Sequence, residues 1–290
     1  METLPLSLVI ISAVFHALWN LLAKKGSNKM AFIWLTNFTS LFSVLPVFLI
    51  ILPRIVYPMD ATPFLLVSGF VEAFYFFSLI KAYEAGDLSL VYPLARSSPL
   101  ILVVLSAAFL KEELSSWGIL GIGLTVLGVY ILHLRGFSPR DFAQPLASLR
   151  GRTSQWAIMA ALWTSIYSLV DKMAVSKVDP ILYAFWLDIF VVFFLTLINF
   201  QRVEFRMIQT EFKGSPLNPI ISGFLMRLGY VLVLVAMSLS QVSYIITIRQ
   251  LSIVLGSFLG VAILREPYGR LRLIGSILIF VGVFIIGTLG

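Results

Sequence analysis

Apolar runs of 18 to 23 residues follow one another along almost the whole chain, divided by short polar joints. About ten can be traced, over 4–23, 30–52, 63–83, 88–110, 117–134, 154–175, 181–199, 217–239, 243–264 and 270–289. A helix crossing about 30 Å of hydrocarbon needs roughly 20 apolar residues, so each run is long enough to span or nearly so. The joints carry turn chemistry: Pro53 and Pro58, Asp179-Pro180, and Pro216 with Pro219. The longest polar gap runs from Arg135 to Thr153. The pattern predicts an all-α integral membrane protein of about ten transmembrane helices. A first five-helix unit occupies 1–135, a polar linker 136–153, and a second five-helix unit 154–290.

The two units are copies. Sliding the chain by 154 places sets Ala82 on Ala236, Ser89 on Ser243, Ser98 on Ser252, Leu110 on Leu264 and Glu112 on Glu266. The same slide brings Gly121 onto Gly275, Gly128 onto Gly282, and Ser68-Gly69-Phe70 onto Ser222-Gly223-Phe224. The second helices correspond more loosely (Ala31–Leu35 with Tyr183–Leu187). In the first helices only Ala17-Leu18-Trp19 and Ala161-Leu162-Trp163 align. An odd number of helices per copy forces the second copy into the bilayer upside down, the inverted-repeat plan of secondary transporters.

Composition agrees with a membrane protein. Hydrophobic residues make up 59% of the chain and charged ones 12%, about half the roughly 25% usual in soluble domains. A net charge of +7 on a soluble domain would suggest a nucleic-acid partner. Here the basic residues occupy short joints, so they bear on membrane orientation instead. Fourteen Lys and Arg follow spans 1, 3, 5, 7 and 9, against four (Arg54, Lys111, Lys172, Lys177) on the other side. The positive-inside rule then puts both termini outside, and the expected location is a prokaryotic cytoplasmic (inner) membrane. No Lys or Arg precedes the first apolar run, so it does not read as a secretory signal. With no cysteine, there is no disulfide or thiolate site.

These residues resemble the drug/metabolite transporter superfamily, specifically its EamA-type ten-helix members. The likeness lies in a small-residue hinge, Ser and Pro in the fourth helix, then Glu and a Gly-spaced fifth helix. Here these are Ala82, Gly86, Ser89, Pro93, Pro99, Glu112, Gly121 and Gly128. The second copy keeps Ala236, Ser243, Glu266, Gly275 and Gly282 but has Thr247 and Ile253 in place of the prolines. The resemblance implies helices arranged around a central cavity that opens alternately to either side, with the fourth and ninth helices lining it. Its substrates range over amino acids, sugars, nucleotide sugars, phosphorylated metabolites and drugs.

Ionisable groups deep in a span cost at least a few kcal/mol and need a reason. Glu72 and Arg227 stand near the middle of the third and eighth spans, at nearly equivalent positions of the two copies. An ion pair between them is the simplest expectation, as a structural tie, a substrate site or a proton relay. Arg96 shares a helix face with Tyr92 and Ser89, and Arg249 lies at nearly the matching depth in the other copy. Either arginine suits a carboxylate or phosphate through its planar fork, or reaches to the interface. Asp188 neutralises an arginine or carries a proton. His16, on one face with Trp19, is a packing residue, a substrate contact or a proton carrier. Trp19, Tyr75, Trp163 and Tyr230 are further candidates for the cavity wall. Lys172, next to Asp171, and Glu112 and Glu266 read as helix-end charges.

No metal ligand set, catalytic signature or P-loop is present, so no cofactor is expected and the chain does not read as an enzyme. The expected function is secondary transport of a small anionic or zwitterionic metabolite, such as an amino acid or organic acid, by alternating access. Export or exchange is the expected direction, with possible proton or counter-substrate coupling. The expected partners are the small-molecule substrate and the lipid bilayer. The alternatives are a carrier of phosphorylated or phosphonate-like compounds, or a lipid-head-group flippase.

Overall fold

Within hydrocarbon no water satisfies backbone N–H and C=O groups, so each apolar run closes its hydrogen bonds on itself as a helix. A computed structural model describes residues 1–51, 56–85, 94–132, 134, 136, 138–147, 151–199, 204–264 and 269–290, and among them there is no strand. The first half holds α1 (Thr3–Lys25), α2 (Lys29–Ser43), α3 (Leu45–Ile51), α4 (Thr62–Ala85), α5 (Ser98–Leu110) and α6 (Ser116–Leu132). After α7 (Pro139–Ala147) come α8 (Arg152–Val175), α9 (Pro180–Asn199), α10 (Phe205–Gly214), α11 (Leu217–Leu239), α12 (Val242–Ile248), α13 (Leu251–Leu264) and α14 (Arg270–Leu289).

Among the described residues, eight stretches are long and apolar enough to cross a membrane, and the apolar helices α5 and α6 are shorter. Of the predicted run 88–110, residues 88–93 lie outside the described residues, and the chain is continuous helix from Ser98 to Leu110. Among the described residues, the second and ninth spans are each built from two helices. Pro46 lacks the N–H that would bond back to Phe42, and the second span breaks between α2 and α3. The ninth breaks at Arg249-Gln250 without any proline. There Gln250 N bonds Thr247 O at 3.0 Å and Ser252 N bonds Arg249 O at 3.1 Å, tight i→i+3 contacts in place of i→i+4. Thr247 Oγ1 also donates to Ser243 O at 2.7 Å, a back-bond that bends helices. The first copy makes the matching turn, Ser97 N to Leu94 O at 3.2 Å, beside Arg96.

The glycines of α6 and α14 establish the relation between the copies. A Cβ added at Gly128 would fall 2.6 Å from Gly275 O, and one added at Gly121 would fall 2.7 Å from Gly282 O. As the chain advances along α6 it retreats along α14, so these two equivalent helices are antiparallel and the second copy is inverted. The other principal contacts come in symmetry-related pairs. α4 packs on α8 as α11 packs on α1, α4 on α9 as α11 on α2, and α5 on α8 as α13 on α1. All of them join one copy to the other, so the halves interleave instead of standing as two bundles side by side.

Large apolar side chains such as Ile50, Phe109, Leu197 and Phe280 face outward, as lipid contact requires. The Met1 amine lies 3.5 Å from Gly287 O and 3.3 Å from Gly290 O, which brings both termini to one side. Two short helices, α7 and α10, were not anticipated from the apolar pattern, being too short and too polar to cross. α10 buries no side chain, and its Glu211 accepts from Ser27 N at 3.1 Å and Asn28 N at 2.8 Å, clasping the turn between α1 and α2.

Candidate functional site

A cavity opens where spans 1, 3 and 4 of the first copy meet spans 6, 8 and 9 of the second. His16 and Trp19 come from α1, Glu72 and Tyr75 from α4, Arg96 from the turn before α5, Tyr167 from α8, Arg227 and Tyr230 from α11, and Arg249 and Gln250 from the break between α12 and α13. The two-fold backbone turns equivalent positions toward it: Glu72 with Met226, Phe76 with Tyr230, Ala95 with Arg249, Arg96 with Gln250. In the first three pairs one partner is polar and the other apolar. The scaffold is symmetric and the chemistry is not.

At one end, His16 is held between arginines. Arg96 Nη2 stands 3.0 Å from Nε2, Arg249 Nη2 3.3 Å from Nδ1, and Trp19 Nε1 donates to Nδ1 at 3.1 Å. Arg249 Nε is buried with no hydrogen-bond partner. Both arginines therefore turn into the protein instead of reaching for the interface. The break in span 9 delivers Arg249 here, because a continuous helix would keep that backbone regular through the level of the cavity.

Deeper in, Arg227 bonds Asp188 Oδ1 in an ion pair whose side chains are each 2% exposed, and Ser40 Oγ donates to Asp188 Oδ2 at 2.7 Å. The expected Glu72–Arg227 pair is not formed. α4 and α11 share the cavity but do not pack closely on each other, whereas α9 packs on α11 and brings Asp188 within reach. Glu72 Oε2 is buried with no hydrogen-bond partner, as are Arg227 Nε and Nη1 and Gln250 Oε1. Glu72 stays within the electrostatic reach of Arg227 and Arg249.

Asp171 was not anticipated as a buried group. It accepts from Ser68 Oγ at 2.5 Å, from Tyr183 Oη at 2.7 Å and from Tyr230 Oη. Its neighbour Lys172 suggested a helix end at the interface, and that lysine instead donates to Met237 O at 2.5 Å and Ser240 O at 2.9 Å, capping α11. The available signal was Tyr167, four residues before Asp171 and on the same helix face. Counting Asp171, three buried carboxylates accompany three arginines, a separation of charge without a net excess. Tyr230 joins the two regions. Its ring centroid lies 5.9 Å from the Arg227 guanidinium carbon and 5.4 Å from that of Arg249, while its hydroxyl reaches Asp171. Tyr75, Tyr167 and Tyr230 follow one another edge to face, with centroids 5.8 and 6.2 Å apart.

Of the residues expected at the site, Trp163 is not in the cavity wall; it packs against Phe74, with centroids 5.8 Å apart. Tyr92 lies outside the described residues, as does Glu266. Glu112 caps α12 from the other copy, accepting from Val242 N at 2.7 Å and Ser243 Oγ at 2.8 Å.

The sequence matches the model of the EamA-like transporter family over residues 3–134 and 152–288. No curated protein matches it. One crystal structure aligns with a TM-score of 0.70 over 98% of this chain and 99% of its own, at 18% identity, a likeness of fold alone.

Proposed function

The chain belongs to the EamA-like transporter family, and from that premise we propose that it carries a small anionic or zwitterionic metabolite by alternating access, as an exporter or exchanger. An amino acid or organic acid fits best. The observation that carries this reading is the set of buried polar atoms left without a protein partner in one cavity: Arg249 Nε, two nitrogens of Arg227, and Glu72 Oε2. A buried unsatisfied group costs about 1–3 kcal/mol, and more when charged, so such a cluster calls for a guest. The guest's acid group takes the guanidinium donors of Arg249, Arg96 or Arg227. Glu72 accepts from an ammonium group on the same guest, or carries a proton.

The breaks at Arg96-Ser97 and Arg249-Gln250 lie at the binding level, where a guest gripping either arginine acts directly on the two bending points. The excess of Lys and Arg on one side favours termini facing outward from a cytoplasmic membrane. A phosphorylated substrate is the second reading, favoured by the convergence of three arginines on the cavity. Uptake into proteoliposomes separates the two. Arg96→Ala and Arg249→Ala chains that fold normally are expected to lose at least about tenfold in the rate for carboxylate or phosphate substrates. Anion transport unchanged in both variants refutes the proposal.

A further inference from the structure

Three N–H donors converge on a side chain that cannot receive all of them. Trp19 Nε1 and Arg249 Nη2 both address His16 Nδ1, at 3.1 and 3.3 Å, and Arg96 Nη2 addresses Nε2 at 3.0 Å. Indole and guanidinium nitrogens donate and do not accept. A neutral imidazole has a single lone pair in its ring plane, and an imidazolium has none. Whichever tautomer forms, one ring N–H points at a donor, and flipping the ring only puts carbon where nitrogen stood. A carboxylate or phosphate has no such deficit, since each oxygen offers two lone pairs and the group carries the opposite charge.

Resting on the anion-transport reading, we infer that His16 is a displaceable stand-in for the substrate's acid group. Its imidazole occupies the place between Arg96 and Arg249 that carboxylate or phosphate oxygens take, and it leaves when they arrive. The imidazole keeps two guanidiniums apart in the empty carrier and sets a threshold that only a true anion passes. His16 is thus a specificity-determining competitor of the substrate, the reverse of a residue that holds it.

The full-length protein in detergent micelles is titrated by calorimetry with L-glutamate and, separately, with inorganic phosphate, which distinguishes carboxylate from phosphate recognition. Removing the competitor in His16→Ala is expected to tighten binding of the preferred probe about tenfold, the worth of one charge-assisted hydrogen bond. His16→Glu supplies a permanent carboxylate and is expected to abolish binding while melting at a higher temperature than His16→Ala. The chain has two histidines, so ¹⁵N-histidine labelling on a His133→Gln background isolates His16, whose resonance is expected to move with the calorimetric midpoint. Weaker or unaltered binding in His16→Ala, or a resonance that stays fixed while the probe binds, overturns the inference and leaves the transport reading standing. Absence of binding in both the wild-type and His16→Ala chains overturns the two together. Binding that appears only in His16→Ala supports the inference in its strongest form.

Discussion

The Asp188–Arg227 pair permits a quantitative test of what ties α9 to α11 within the second copy. Asp188 comes from α9 and Arg227 from α11, both side chains are 2% exposed, and Ser40 of α2 in the other copy adds a hydrogen bond of 2.7 Å to the carboxylate. Asp188→Ala leaves a guanidinium buried with no counter-charge, a change that costs about 3–5 kcal/mol. At roughly 2 °C per kcal/mol for a chain of this size, the melting temperature falls by about 6–10 °C. Replacing both partners by apolar residues of similar volume, Asp188→Leu with Arg227→Met, removes attraction and desolvation together. It is expected to recover most of that loss. The assay is fluorescence-monitored thermal unfolding in detergent, run as a double-mutant cycle with Asp188→Leu and Arg227→Met as the two single variants. A coupling energy of about 2–3 kcal/mol is expected. Single effects that add in the double variant would refute the pairing argument. The same double variant also separates tie from site. Arg227 has two nitrogens without partners at the cavity, so the stable double variant is expected to transport poorly, and wild-type transport would make Arg227 purely structural.

Three further outcomes are expected. Gly275→Leu pushes a side chain into the backbone of α6, where even a Cβ meets Gly128 O at 2.6 Å. It is expected to destabilise by about 1–3 kcal/mol or more, and a melting temperature equal to wild type contradicts the close crossing. Glu72→Gln keeps shape while removing the titrating charge, so the pH profile of transport flattens if Glu72 carries the proton; a wild-type profile assigns coupling elsewhere. Reporter tags fused to either end are expected to signal from the outside face, and cytoplasmic signal from both would reverse the orientation drawn from the Lys and Arg distribution.

Residue order alone determined a good deal about this protein. Run length and composition place it in a bilayer, because backbone that leaves water must close its hydrogen bonds as helix, and apolar side chains must cover it. The slide by 154 places carries the copies, and their odd helix number carries the inversion that Gly121, Gly128, Gly275 and Gly282 realise in space. Rare intramembrane charge singled out Glu72, Arg96, Arg227 and Arg249, and all four line one cavity. Tertiary structure alone decided how these charges are apportioned. Arg227 takes Asp188 and leaves Glu72 across the cavity. Asp171 lies inside a ring of hydroxyls, away from the interface, and His16 lies between two guanidiniums. The break at Arg249-Gln250 has no proline to announce it. Period and composition report which residues must leave water, whereas the partner of a buried charge depends on which helix packs beside it. Asp188 reaches Arg227 from another helix of the same copy, while Ser40 and Ser68 reach Asp188 and Asp171 from the other copy, and none of these neighbours lies within the reach of a local pattern.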